Sequence, residues 1–204
     1  MFQTALYPKT KQVLEKLTKV GILRDFYLAG GTALALQLGH RKSVDLDFFI
    51  NKFPKQELLL QELKPLNINI TNSNFNTLDL LIDGVKVTLL EYDYPSLNSL
   101  VEEGELKLAS ILDIACMKLS AISSRGSKKD FVDLYAVINS KVSLSEIFEV
   151  FKEKYKGINY SEKHLLKSLT YFVDADRNPE VDYINEKWDW EDIKKFFKKE
   201  VLAL

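Results

Sequence analysis

The stretch Tyr27-Leu28-Ala29-Gly30-Gly31-Thr32-Ala33-Leu34-Ala35-Leu36-Gln37-Leu38-Gly39-His40-Arg41-Lys42-Ser43-Val44-Asp45-Leu46-Asp47-Phe48-Phe49 decides the reading of this 204-residue chain. It reads as a short strand, a Gly-Gly turn, a short helix, a basic loop and a second strand carrying two carboxylates. Gly-Gly before a helix lets backbone N–H groups approach an anion closely, and the helix N-terminus favours negative charge there. Its bland alternative is a tight strand-to-helix turn with no ligand. Residues i and i+2 of a strand share a face, so Asp45 and Asp47 point the same way, about 6 to 7 Å apart. Hard oxygen ligands on that spacing suit Mg²⁺ or Mn²⁺ bridged to phosphate oxygens. A solvated polar strand face is the alternative, but Phe49 shares the aspartate face and Gly-Gly lies upstream. Taken together, the parts imply a site for a nucleoside triphosphate and a divalent cation.

Composition bounds the rest. With 46% hydrophobic and 28% charged residues, the chain has the make-up of an ordinary globular protein. A net charge of -1 means that any affinity for nucleic acid must come from a local basic surface. No long apolar run and no secretory leader are apparent, so a cytoplasmic protein without membrane contact is expected. Cys116 is the single cysteine, which leaves no disulfide framework; its apolar neighbours suggest a packed thiol.

Around the opening motif, helices are expected over 8–20, 32–38 and 54–63, and strands over 26–29 and 44–50. Further strands are expected over 68–71, 77–82 and 85–92, with Asp83-Gly84 as a two-residue hairpin turn. The acidic, turn-rich segment 95–105 reads as a linker. Beyond Leu106 the pattern is helical, near 110–123, 129–139, 144–155, 162–172 and 190–202. The expectation is therefore an α+β protein: a mixed-sheet core over 1–100 and a helical half over 101–204 that completes a cleft.

Gly30, Gly31, Thr32, Leu34, Arg41, Ser43, Asp45 and Asp47 match a pattern of the form G-G/S-T-x-L followed by R-x-S-x-D-x-D. By these residues the chain resembles the AbiEii/AbiGii-toxin-like nucleotidyltransferases, within the nucleotidyltransferase superfamily of DNA polymerase β. The run Asp113 to Tyr135 adds a second similarity: a helix with Lys118, an arginine turn at Arg125, and a following K-D-x-x-D helix with Asp130 and Asp133. Lys118 could neutralise a triphosphate, or serve only in local ion pairs. Asp130 could orient catalytic groups, and Asp133 could hold Lys118 or Arg125. His40 reads as a loop or packing residue.

The resemblance implies a metal-dependent transfer of NMP from an NTP to an acceptor hydroxyl, with release of pyrophosphate. Asp45, Asp47, Lys118 and Asp130 would be catalytic. Gly30, Gly31, Thr32, Arg41, Ser43, Lys118 and Arg125 would bind nucleotide. Asp45 and Asp47 would hold Mg²⁺ or Mn²⁺. The setting implied is the toxin of a toxin–antitoxin or phage-defence system, with RNA such as tRNA as acceptor and a cognate antitoxin as partner. A small-molecule acceptor such as an antibiotic, or a nucleotide-binding regulatory module without turnover, are the rival readings. The regulatory reading is motivated by a missing third carboxylate. Thr88 stands where an aspartate is expected, with Glu91 and Asp79 as substitutes. The lysines of 194–199 read as a solvated helix face, with an RNA-contacting strip as the alternative.

Overall fold

The computed structural model describes all residues, 1–204. Seven strands form one sheet in the order β3-β4-β5-β2-β1-β7-β6. Their ranges are β1 Tyr27–Leu28, β2 Leu46–Ile50, β3 Ile68–Asn74, β4 Thr77–Ile82, β5 Val85–Glu91, β6 Val101–Glu103 and β7 Leu106–Leu108. The sheet is mixed: β2 runs parallel to β5 and β1 parallel to β7, while the remaining neighbours are antiparallel.

Alternation explains β2, β4 and β5. Leu78, Leu80 and Ile82 on β4 and Val87 and Leu89 on β5 are buried on one face; on the other face the residues between them on β4 are half-covered, and Thr88 on β5 is buried. Asp83 and Gly84 both take positive φ, +51° and +82°, so the β4–β5 connection is a tight hairpin turn of the primed kind.

Helices α1 (Pro8–Lys19), α2 (Gly30–Leu38) and α3 (Gln56–Leu63) interleave with the strands. Then follow α4 (Ile111–Ser124), α5 (Lys128–Asn139), α6 (Leu144–Lys154), α7 (Glu162–Ser168), α8 (Val173–Asp176) and α9 (Trp190–Leu202). α4 packs against α2, α5, α6 and α7 and so joins the sheet side to the helical side. α2 is apolar nearly all round, with Thr32 to Leu36 buried, as expected of a helix enclosed on every side. A single apolar cluster of 46 buried residues, from Leu6 to Phe197, runs through both sides. Each fully buried Leu, Val or Phe in it contributes about 1.5–3 kcal/mol before the entropy of ordering.

Two stretches differ from the sequence expectation. The segment read as a linker holds the β6–β7 hairpin, and β7 pairs with β1, so the sheet continues past residue 100. The helix expected over 162–172 ends at Ser168, and the separate short α8 follows. Cys116 is buried, and burial pushes its thiol up to about 12. No helix is long and apolar enough to cross a membrane.

Candidate active site

The Gly-Gly turn is required by what lies against it. Gly30 opens α2 with φ +64°, a region that side-chain-bearing residues rarely enter, and a Cβ there would lie 3.1 Å from Asp47 Oδ2. A Cβ on Gly31 would fall 2.2 Å from Arg41 Nη2. The N-terminus of α2 therefore sits directly against both a carboxylate and a guanidinium. Thr32 is buried one residue further on. Its hydroxyl donates to the Asp45 carbonyl and lies 2.7 Å from Ser43 Oγ, whose own hydroxyl can donate back, tying α2 to the loop before β2.

That loop is held from both ends of the chain. Ser43 N–H donates to Ala5 O at 2.9 Å, and Lys42 N–H donates to Asp182 O at 2.7 Å. Arg41 forms a bridge with Tyr183. The side chain of Arg41 is buried: Nε donates to Asp133 Oδ1 at 2.6 Å and Nη2 to Oδ2 at 2.8 Å. Planar, two-point pairing of this kind adds directionality to a charge-assisted hydrogen bond. His40 Nε2 lies 2.8 Å from the same carboxylate, and Trp188 stacks on the imidazole.

Lys118 reaches in from α4. Its Nζ lies 2.8 Å from Asp130 Oδ1 and 2.6 Å from Asp133 Oδ2. Arg125, just past the end of α4, donates to both oxygens of Asp130 at 2.9 and 3.1 Å, with 66% of its side chain exposed. Ser127 Oγ donates to Asp130 Oδ2 at 2.7 Å. Burial opposes ionisation of Asp130 and Asp133, but the surrounding cations outweigh it. Lys118 and Arg125 hold Asp130 below the usual carboxylate range; Arg41 and Lys118 hold Asp133 well below it. In turn, Asp133 and Asp130 keep the buried Lys118 ammonium charged.

Asp47, at the second position of β2, and Asp45, in the loop just before it, stand in contrast. Neither carboxylate accepts a hydrogen bond or pairs with a cation. Burial, and next the Asp45 charge, push the Asp47 carboxyl above its ordinary range. Two bare carboxylates close together, one of them desolvated, form a donor set that a hard divalent cation relieves. No third His, Cys, Asp or Glu joins them as a ligand cluster. Further oxygens would come from triphosphate and water, the usual arrangement for Mg²⁺.

All ten residues expected at the site line one polar cleft of about 130 Å³: Gly30, Gly31, Thr32, Arg41, Ser43, Asp45, Asp47, Lys118, Arg125 and Asp130. Ser127 and Lys129 complete the lining. Ser127 escaped the sequence reading, since a serine before a helix reads first as a cap; its hydroxyl instead goes to the Asp130 side chain. His40 is a member of the buried Asp133 network as well as a packing residue. Beyond Arg125 opens a larger groove of about 460 Å³, whose lining includes His164, Lys167 and Tyr171.

The family model for "Nucleotidyl transferase AbiEii toxin, Type IV TA system" matches residues 12–77 and 73–203. An uncharacterized protein of Aquifex aeolicus (strain VF5) is 39% identical over 202 residues, spanning 96% of each chain. Among solved structures, a protein from H. pylori superposes with TM-score 0.63 at 18% identity, covering 100% of this chain and 95% of that one. The nucleotidyltransferase toxin MenT4 of Mycobacterium tuberculosis H37Rv gives 0.60 at 13% identity, covering 97% and 86%. The antibiotic-resistance factor ANT(2'')-Ia gives 0.56 at 16%, covering 74% and 93%. At such identities the structural likenesses establish a shared fold.

Proposed function

The chain belongs to the AbiEii nucleotidyltransferase toxin family, and we propose that it moves NMP from an NTP to a hydroxyl of RNA with the help of Mg²⁺ or Mn²⁺. The observation that carries this reading is the contrast between the bare pair Asp45 and Asp47, which line the cleft, and the cation-saturated pair of Asp130 in its wall and Asp133 buried against Arg41 and Lys118. Phosphoryl transfer asks for positioning and charge neutralisation more than covalent chemistry. The N-terminus of α2, opened by Gly30 and Gly31, binds the triphosphate through backbone N–H groups. Lys118, held in place by two carboxylates, presents a fixed positive charge to the same anion. Arg125, anchored on Asp130 and largely exposed, is free to turn toward a phosphate. Arg41 shapes the cleft by fixing Asp133, and Thr32 and Ser43 hold the loop that carries Asp45. A bound divalent ion supplies Lewis-acid neutralisation of the phosphate oxygens.

The neighbouring groove supports RNA over a small acceptor. It shares Arg125 with the cleft, exceeds it in volume, and presents Lys167, His164 and a 56%-exposed Tyr171. Cations beside an open aromatic ring suit a single-stranded nucleic acid, whose backbone is anionic and whose bases stack. A toxin with a cognate antitoxin follows as the biological setting, in keeping with the family. The test offers each of the four α-labelled NTPs with Mg²⁺ or Mn²⁺ to total tRNA and, separately, to an aminoglycoside. Label in RNA with stoichiometric pyrophosphate is expected. Label in the aminoglycoside alone would replace RNA by a small acceptor.

A further inference from the structure

The expected third carboxylate is absent from β5, and the structure shows what surrounds the gap. Asp47 on β2 sits opposite Thr88 on β5, and Thr88 sits opposite Asp79 on β4. The three residues form one row across adjacent strands, which lie about 4.8 Å apart, with all three side chains on one face. Thr88 is only 7% exposed, and its hydroxyl donates to Asp79 Oδ1 at 2.9 Å. Glu91, the other substitute, fails on parity. Three residues from Thr88, it projects from the opposite face and accepts the Phe53 N–H at 2.7 Å.

Asp79 is itself held. The register of β3 against β4 shifts between Ile70 and Asn72, so Asn72 rather than Thr71 faces Asp79. Asn72 Nδ2 donates to Asp79 Oδ2 at 3.0 Å. A bulge is a common means of re-aiming one side chain. Here it gives the second oxygen of Asp79 a donor and leaves the first directed at Thr88.

We propose that Thr88 and Asp79 together replace the missing carboxylate as a two-residue proton relay, Thr88 touching the acceptor hydroxyl and Asp79 positioned behind it as the proton's destination. This inference rests on the transferase reading above. The acceptor O–H bond breaks and its proton passes to Thr88 Oγ1, while the proton already on Thr88 passes to Asp79 Oδ1. The acceptor oxygen uses the freed electron pair to bond to the α-phosphorus. The bond between that phosphorus and the α–β bridging oxygen breaks, and its pair leaves on pyrophosphate. Asp79 is partly exposed and returns its proton to water.

The decisive variants are near-isosteric, so the fold is retained: Asp79→Asn keeps the hydrogen bond to Thr88 but cannot take the proton, and Thr88→Val removes the hydroxyl. Each should lower kcat by about 10²- to 10⁴-fold, the usual range for general-base loss, with KM for NTP and the affinity for Mn²⁺·NTP changed less than about threefold. Thr88→Ser, which keeps a hydroxyl, should lose at least about tenfold less than Thr88→Val. Combining Thr88→Asp with Asp79→Asn returns the carboxylate to β5 and should recover about tenfold or more over Asp79→Asn alone. A kcat within about threefold of wild type in Asp79→Asn or Thr88→Val overturns the relay while leaving the transferase reading intact. Mn²⁺·NTP binding with no turnover by the wild-type protein would overturn both.

Discussion

Two pairs of aspartates, one at the start of β2 and one on α5, are treated by their surroundings in opposite ways: Asp45, Asp47 and Asp130 line the cleft, and Asp133 is buried against Arg41 and Lys118. Asp130 and Asp133 lie on one face of α5, nearly fully buried, and accept contacts from Arg41, Lys118, Arg125, His40 and Ser127. Asp45 and Asp47 stand at the start of β2 with no such partner. On the proposed reading the first pair is structural and holds the cations that meet the triphosphate, and the second pair is completed by a cation that comes with the substrate. A buried carboxylate stays ionised where charges and hydrogen bonds are brought to it, so Asp130 and Asp133 are held below the usual carboxylate range while burial pushes Asp47 above it.

The largest effect that separates the pairs is on turnover. Asp45→Asn or Asp47→Asn should lower RNA labelling by about 10³-fold or more, the cost of losing several kcal/mol of transition-state neutralisation. In metal-free buffer Asp47→Asn should melt at or above the wild-type temperature, because it removes a desolvated charge facing Asp45. Labelling and thermal melts of the same samples check both halves; a substantial fall in melting temperature would make this pair structural too.

Next in size is a loss of stability. Asp133→Ala leaves the buried Arg41 without its carboxylate and takes one of two from Lys118, which should cost about 3–5 kcal/mol in urea unfolding. A loss below about 1 kcal/mol would remove the structural role assigned to this pair.

The smallest effect is a separation along pH. Asp130 and Asp133 have folded values below the unfolded one, so their stabilisation is present above the ordinary carboxylate range and is lost as pH falls through the depressed values. Asp47 has the reverse sign. Its folded value is raised, so protonation begins at higher pH and relieves the fold while abolishing a cation ligand. Mn²⁺ affinity should therefore fall on acidification while circular dichroism still reports a native chain; coincident loss of both would contradict the opposite shifts.

Much of this cleft was legible because its signals are local. The aspartate pair, the Gly-Gly turn of α2 and the Asp83-Gly84 hairpin each follow from spacing within a few residues, although β2 begins only at Leu46 and leaves Asp45 in the loop before it. The β6–β7 hairpin was not, since strands of three residues carry too little alternation to stand out from an acidic linker. Nor was the engagement of Arg41 with Asp133, 92 positions away, which only the packed structure reveals. The C-terminal third carries no motif, yet its backbone at Asp182 and Tyr183 clamps the Arg41 loop and Trp188 covers His40. Lys154, fully buried on Asp113 and the Pro95 carbonyl, is another such long-range contact that no local spacing signals.

The most direct test of the central contrast is a Mn²⁺ titration followed by electron paramagnetic resonance, with a non-hydrolysable NTP analogue present throughout. Wild type should bind Mn²⁺·NTP, and the double substitution Asp45→Asn with Asp47→Asn should lose that binding by about a hundredfold or more while remaining folded. Asp133→Asn, under conditions where it stays folded, should retain metal binding to within about tenfold. Wild-type Mn²⁺ affinity in the doubly substituted protein would contradict the account: the bare pair would then not be the metal site, and the cleft's chemistry would lie with other groups.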